Sequence, residues 1–405
     1  MMFNIIYAQS GGMTPVINNS AASLIRTAQK HSDRINKIYA AKNGIIGLIE
    51  NRIVDITDLS EKDLSLIENT SGGIFGTCRY KLKDDDYETY EKIYHTLKEH
   101  DIKCIFYNGG NDSADTSNKL CKIKEYFDYD LICIGIPKTI DNDLPFTDVC
   151  PGFPSSAKYI AISMLESSTD LKSMCLTSTK VTIMEIMGRH AGWLTAASSV
   201  WKKKESDSPH ICLLPEVEFN EDKFLELVKY FKEKYGYCTI AVSEGIKDSS
   251  GNYVANSKNI DSFGHKQLGG VGIQLSNLIT NSLKYKCHCM IPDYLQRSCT
   301  HIATPIDIEL AKAVGRSAVE YALEGKNNVM PMIVRTNTTP YEYEIIDIEL
   351  SKIANVEKKL PDNYIRENGY EITEECRNYL KPYVLDENFS LYQDEEGKPI
   401  YFELD

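Results

Sequence analysis

"KCIFYNGGNDSADTSNKLCKIKEYF" (103–127) decides how this chain folds. An apolar run ends in Gly109-Gly110, and a helical period starts at once. The run is short enough for a buried strand, and the stretch after it repeats its apolar residues at helical spacing. The same order recurs along the chain. "FNIIYAQSGG" (3–12) leads into "TPVINNSAASLIRTAQK" (14–30), and "LICIGI" (131–136) leads into "PKTIDND" (137–143). "VTIMEIMG" (181–188) leads into "RHAGWLTAASSV" (189–200), and "YCTIAVSEG" (237–245) follows the helical "EDKFLELVKYFKEKYG" (221–236). Alternating strands and helices predict a parallel α/β sheet with helices on both faces. Thr14 reads as an N-cap with Pro15 as the first helical residue, and one of Asn111, Asp112 and Ser113 reads as the cap of the next helix.

Bulk properties narrow the function. A chain of 405 residues, 42% apolar and 25% charged, has the composition of a globular protein of about two domains. A net charge of −13 argues against a general nucleic-acid binder, which needs a basic face. It leaves room for a small anionic substrate in a local positive pocket. The N-terminus does not read as a signal peptide, and no apolar run approaches the roughly 18–20 residues of a membrane span. Twelve cysteines without a CxxC read as reduced thiols in a cytoplasm. "KCHCM" (286–290) lacks the second Cys/His pair of a zinc site. No HExxH and no Walker-type loop occurs. "VCPGFPSS" (149–156) reads as a crossover, and the chain returns near "IPDYLQRS" (291–298). From about Asn328 a hairpin-like pair precedes polar helical segments.

In parallel sheets ligands bind beyond the carboxyl ends of the strands. The loops there are the candidates for chemistry. Gly11-Gly12 and Gly109-Gly110 each open a helix. They read either as tight turns or as a phosphate cradle of free N–H groups. Asn111 and Asp112 read as caps or as oxygen ligands for Mg2+. In "PKTIDND", Lys138, Asp141 and Asp143 read as a solvated turn or as a cation for phosphate beside a base and its partner. Arg189 can fork onto a phosphate, whereas His190 reads as structural. Glu244 can accept sugar hydroxyls, and Tyr294 and Arg297 offer a hydroxyl and a fork. Arg79, after the Gly-rich "SGGIFGTCR" (71–79), is a candidate for a transferring phosphate. A base, cations and glycine cradles together describe phosphoryl transfer.

"SGGMTPVINN", "SGGIFGTCR", "GGNDS", "PKTIDND", "MGRHAGW", "SEG" and "YLQR" occur in the order and approximate spacing of the phosphofructokinases, from about residue 3 to about 320. The resemblance implies two Rossmann-like α/β domains with mostly parallel sheets, each a three-layer sandwich, and an active site in the cleft between them. The boundaries expected are 1–152 plus about 293–325 for the donor domain, 153–292 for the sugar-phosphate domain, and about 326–405 as a C-terminal extension. It also implies phosphoryl transfer to the 1-hydroxyl of fructose 6-phosphate with Mg2+, in a cytoplasmic homodimer or homotetramer. Asp141 is similar to the family's general base, flanked by Thr139, Ile140 and Asp143. Lys180, Met187, Gly188, Arg189, Glu244, Tyr294, Leu295, Gln296 and Arg297 match sugar-phosphate contacts. Gly12, Arg79, Gly110, Ser113 and Lys138 match donor-phosphate contacts, and Asn111 stands at the metal position.

ATP-using members resemble "GGDGS" and "PGTIDND". Here Asp112 and Lys138 replace glycines. A carboxylate at Asp112 repels a nucleotide α-phosphate, and Lys138 adds charge for a donor without adenosine. Both point to pyrophosphate, with an ATP-dependent enzyme as the alternative. Asn111 replaces the usual metal-holding aspartate. Lys180 and His288, with Lys286 nearby, stand where arginines usually reach from a neighbouring subunit, which leaves sedoheptulose 7-phosphate as an additional acceptor. Ala22 stands at the place of an effector-binding arginine, so little allosteric control is expected.

Overall fold

A computed structural model describes residues 2–255, 268–386 and 393–401. The chain divides into two compact units, Met1–Phe153 with Arg297–Glu357 and Pro154–Gln296 with Lys358–Asp405. The crossover falls inside "VCPGFPSS" and the return falls inside "YLQR". Residues up to Glu357 group with the first unit and those from Lys358 with the second.

Among the described residues the strands are β1 (Phe3–Gln9), β2 (Ile35–Ala41), β3 (Ile53–Asp55), β4 (Ile102–Gly109), β5 (Ile132–Pro137), β6 (Val181–Ile186), β7 (Ile211–Leu213), β8 (Cys238–Ser243), β9 (Cys287–Met290), β10 (Val329–Thr338) and β11 (Tyr341–Glu349). The first unit holds a seven-stranded sheet in the order β11-β10-β5-β4-β1-β2-β3. Its central pairs are parallel, while β2/β3 and β10/β11 are antiparallel. Strand order reverses between β1 and β4, the switch point at which such sheets bind ligands. Register makes the exits level: Gln9 lies opposite Asn108, and Gly109 opposite Pro137. The loops beginning at Ser10, Gly110 and Lys138 therefore leave the sheet at one height.

The apolar runs become strands because both faces of the sheet are covered. Ile6, Ile105, Tyr107 and Cys133 pack with Tyr90, Ile93 and Leu97 of the helix Tyr87–Glu99. Each fully buried aliphatic side chain of this kind contributes about 1.5–3 kcal/mol. At the other edge, Met330 and Met332 of β10 pack with Leu350, Ile353 and Ala114.

The second unit is a parallel four-stranded sheet in the order β7-β8-β6-β9. Ile186 lies opposite Ser243, so Met187 and Glu244 leave the sheet together. Phe224, Val228 and Phe231 of the helix Glu221–Tyr235 pack with Ile183 and Ile240. That helix starts at Asn220, whose side chain accepts from the Lys223 N–H, and ends at Gly236 in the left-handed region. Glu185 on β6 accepts from the Gly270 and Gly272 N–H groups, both at 2.8 Å, which satisfies the start of the helix Val271–Leu283. No helix among the described residues is long and apolar enough to cross a membrane. All twelve cysteines are free thiols.

Two cap assignments are corrected. The first long helix is Ile17–Lys30 with Val16 at its N-cap, not Thr14. Thr14 is spent on packing: a Cβ at Gly152, whose φ is +109°, would lie 2.5 Å from the Thr14 Cβ and Cγ2. The second is Asn111–Leu120 with Gly110 at its N-cap. Its polar side chains have other partners, since Ser113 Oγ pairs with Ser10 Oγ at 2.6 Å and Asn111 Nδ2 donates to Val356 O at 2.6 Å.

The helix Ile17–Lys30 lies against the helix Pro305–Leu323, and Ser23 Oγ donates to Lys312 O at 2.7 Å. A Cβ at Gly315 would meet Ser20 O at 2.3 Å. Intrinsic propensity favours Ala over Gly in a helix by about 1 kcal/mol. Gly315→Ala is nonetheless expected to destabilise by roughly 1–3 kcal/mol, because the backbones must separate. Thermal melting checks this, and a raised melting temperature would refute the close-approach argument.

Candidate active site

The first unit brings four loops together at its switch point. Lys138 is 3% exposed, and its Nζ donates to Ser10 O at 2.9 Å and Gly12 O at 2.5 Å. Burial pushes its pKa down to about 7; Arg297 and Arg79 add to that, while Asp141 and Asp143 oppose it. Five charged groups therefore share one site. Gly11 has φ +81° and donates its N–H to Cys78 O at 3.1 Å. Thr77 Oγ1 returns a bond to Gly11 O at 2.8 Å. These contacts bind the Gly11-Gly12 turn to "SGGIFGTCR". Ser10 Oγ with Ser113 Oγ binds it to the start of the helix Asn111–Leu120. The Lys138 N–H donates to Gly109 O at 3.1 Å.

Arg297 belongs to this cluster. A Cβ at Gly12 would lie 2.8 Å from Arg297 Nη1, so a side chain there would push the guanidinium aside. The sequence reading assigned Gly12 and Arg297 to different substrates. Arg79 is exposed beside them, and Gly110 and Ser113 line the same helix start.

The aspartate loop owes its shape to Thr139 and to Asn142, of which the sequence reading named only the first. Asn142 is fully buried with φ +54°, a region Asn tolerates better than most residues. Its Oδ1 accepts from the Cys150 N–H at 2.9 Å. Thr139 Oγ1 accepts from the Asp141 N–H at 3.0 Å. Asp141 and Asp143 thus flank a fixed left-handed residue. The Ile140 side chain is 6% exposed, which leaves its backbone for any contact with substrate.

Asn111 Oδ1 is buried without a hydrogen-bond partner among the described residues. Its amide nitrogen is committed to Val356 O. An orphaned hard oxygen at a helix start fits a Mg2+ ligand. No group of three or more His, Cys, Asp or Glu able to hold a metal occurs among the described residues.

In the second unit the turn from Met187 to Gly192 carries Arg189. Met187 N–H donates to Gln296 Oε1 at 3.1 Å, and Gly188 N–H donates to Glu244 Oε1 at 3.4 Å. Ser243 Oγ donates to Gly188 O at 2.5 Å. A Cβ at Gly245 would lie 2.0 Å from Arg189 O, so that residue must be glycine. Gln296 and Glu244, read from sequence as sugar contacts, brace the turn here. Ser243 was missed, although its place before Glu244 at a strand end was the available signal. Tyr294 and Leu295 are 61% and 63% exposed. Lys180 Nζ donates to the Cys175 and Leu176 carbonyls, which end the helix Phe153–Met174. His288 is exposed on β9, and Lys286 Nζ reaches Ser178 Oγ at 3.3 Å. His190 Nε2 lies 3.1 Å from the Tyr253 hydroxyl.

Comparisons with known proteins agree with this geometry. The chain is 47% identical over 398 residues to a Halomonas elongata protein named pyrophosphate--fructose 6-phosphate 1-phosphotransferase, covering 98% of this chain and 94% of that protein. A Methylococcus capsulatus protein of the same name is 45% identical, over 99% and 96% of the two chains. The crystal structure of pyrophosphate-dependent phosphofructokinase from Marinobacter aquaeolei superposes with a TM-score of 0.87 at 44% identity, over 100% of this chain and 99% of that one. The Phosphofructokinase family profile matches residues 4–322, and the chain belongs to that family.

Proposed function

We propose that this chain catalyses reversible phosphoryl transfer from pyrophosphate to the 1-hydroxyl of fructose 6-phosphate, giving fructose 1,6-bisphosphate and phosphate. The observation that carries the reading is Lys138: a buried ammonium on the carbonyls of Ser10 and Gly12, with Arg297 and Arg79 beside it. Such a cluster fits a small, highly charged donor. The names of the full-length relatives agree.

In this reading Asp141 takes the proton of the 1-hydroxyl. The freed oxygen attacks the terminal phosphorus, the bridging P–O bond breaks, and phosphate leaves. Thr139, Ile140 and Asp143 keep Asp141 in place. Gly12, Gly110, Ser113, Arg79 and Lys138 bind the donor phosphates, and Arg297, next to Gly12, binds the sugar phosphate. Arg189, with Met187, Gly188, Glu244, Tyr294, Leu295, Gln296 and Lys180, binds the sugar phosphate. Asn111, whose side-chain oxygen lacks a partner among the described residues, would hold a Mg2+ ion together with Asp112, and the bound ion would supply charge neutralisation for the donor. The enzyme is a cytoplasmic homodimer or homotetramer.

Asp141→Ser is expected to lower turnover by roughly three to five decades. A general base contributes about 10²–10⁴, and the same group also orients the nucleophile. Near-normal turnover would remove Asp141 from the mechanism. Wild type should turn over pyrophosphate faster than ATP. Lys138→Gly and Asp112→Gly should each shift the ratio toward ATP. A wild type faster with ATP would refute the donor reading.

Lys138 also gives a pH test. Its folded value of about 7 lies below its ordinary 10.5, so the unfolded chain holds the extra proton across that window. The cost of burying the charge is full below pH 7 and vanishes as pH rises toward 10.5. Wild-type stability relative to Lys138→Met should therefore rise between pH 7 and 10, by at least the ~2–4 °C that about 1 kcal/mol produces in a unit of this size. Parallel melting curves across that range would show that Lys138 is not a depressed, buried ammonium.

A further inference from the structure

The C-terminal side of the Arg189 turn is held by a group outside the proposed site. Gly192 N–H donates to Glu216 Oε1 at 2.9 Å, and the same oxygen accepts from the Leu360 N–H at 3.0 Å. One carboxylate oxygen thus joins the turn to the C-terminal segment. There is no slack at the joint. A Cβ at Gly192 would lie 2.7 Å from Glu216 Oε2, 2.8 Å from Leu214 Cδ2 and 2.9 Å from Pro215 Cδ. The next residue repeats the connection. Trp193 Nε1 donates to Lys358 O at 3.0 Å, and its ring meets those of Tyr364 and Tyr379 at centroid distances of 6.1 and 5.2 Å.

Glu216 Oε2 is buried and has no hydrogen-bond partner among the described residues. Burial pushes the carboxyl's pKa up, against the two N–H donors. A buried unmatched oxygen is costly. The fold tolerates that cost where a single oxygen satisfies two main-chain donors on segments far apart in sequence. The opposite side of the turn is already fixed by Gln296, Ser243 and Glu244. Glu216 completes the set from the other end, three residues after Arg189.

We propose that Glu216 is a positioning residue for Arg189, and that the segment 358–360 helps to hold the sugar-phosphate turn. This rests on the reading of Arg189 as a sugar-phosphate ligand. The guanidinium is carried by a short irregular turn, so its direction follows the backbone. Freeing Gly192 and Trp193 lets that backbone drift by the ångström or so that misplaces a binding group.

The test is steady-state kinetics with fructose 6-phosphate and pyrophosphate varied separately, together with thermal melting. Glu216→Gln keeps a carbonyl acceptor and should leave both KM values within about threefold, under 1 kcal/mol. Glu216→Ala should raise KM for fructose 6-phosphate by roughly tenfold to a hundredfold, with KM for pyrophosphate little changed. Trp193→Phe keeps an aromatic ring but removes the indole N–H. It should raise the same KM by a smaller factor, and it carries the test if Glu216→Ala does not fold. A lower melting temperature with both KM values unchanged would make Glu216 purely structural and overturn the proposal. An equal rise in both KM values would overturn it as well. An inactive wild type would instead overturn the functional reading on which it rests.

Discussion

The ammonium of Lys138 is the contact on which the donor site depends. In the sheet order β5-β4-β1, two strand spacings, roughly 10 Å, separate the strand that carries it from the strand whose loop it binds. A long unbranched side chain crosses the end of β4 and reaches the Ser10 and Gly12 carbonyls. Those carbonyls turn inward because Gly11 has positive φ. Without a donor they would be buried and unmatched. Burying a lysine beside two arginines is unfavourable, and Asp141 and Asp143 offset part of that cost. The two aspartates and the lysine thus favour one another's charged forms.

The Arg189 turn is built differently. Gln296, Glu244 and Glu216 side-chain oxygens accept from the main-chain N–H groups of Met187, Gly188 and Gly192. The turn itself brings the positive charge, on Arg189. Fixing the backbone that carries a cationic side chain is a pre-organised way to hold an anion. The first unit fixes its loops with a cation, and the second fixes its loop with acceptors. The two loops consequently respond to different substitutions.

Much of the fold was legible. Apolar runs closed by glycine or aspartate turns became β1, β4, β5 and β6, because period and punctuation act locally. Most candidate site residues were legible for the same reason, since they sit at strand ends. The helix caps at Thr14 and at 111–113 were not, because long-range partners outcompeted the local cap. Thr14 packs on Gly152, and Ser113 bonds to Ser10, about a hundred residues away. The division of "YLQR" was not legible either: Tyr294 and Gln296 lie in the second unit, while Arg297 belongs to the first. Glu216 carried no sequence signal that separates it from any acid after a strand.

Asn111 shows how the tail shapes the chemistry. The resemblance leads one to expect an aspartate there. Residues 350–357 pack against the helix Asn111–Leu120, with Asn355 Nδ2 on Asp115 Oδ1 at 3.1 Å and Asn111 Nδ2 on Val356 O at 2.6 Å. An aspartate at 111 would set a carboxylate oxygen against that carbonyl with no proton between them. An amide satisfies the carbonyl with its nitrogen and keeps its oxygen for another partner. The loss of charge at this position thus follows from a chain segment more than two hundred residues away. In the proposed metal site, Asp112, one residue on, supplies the negative charge that Asn111 lacks.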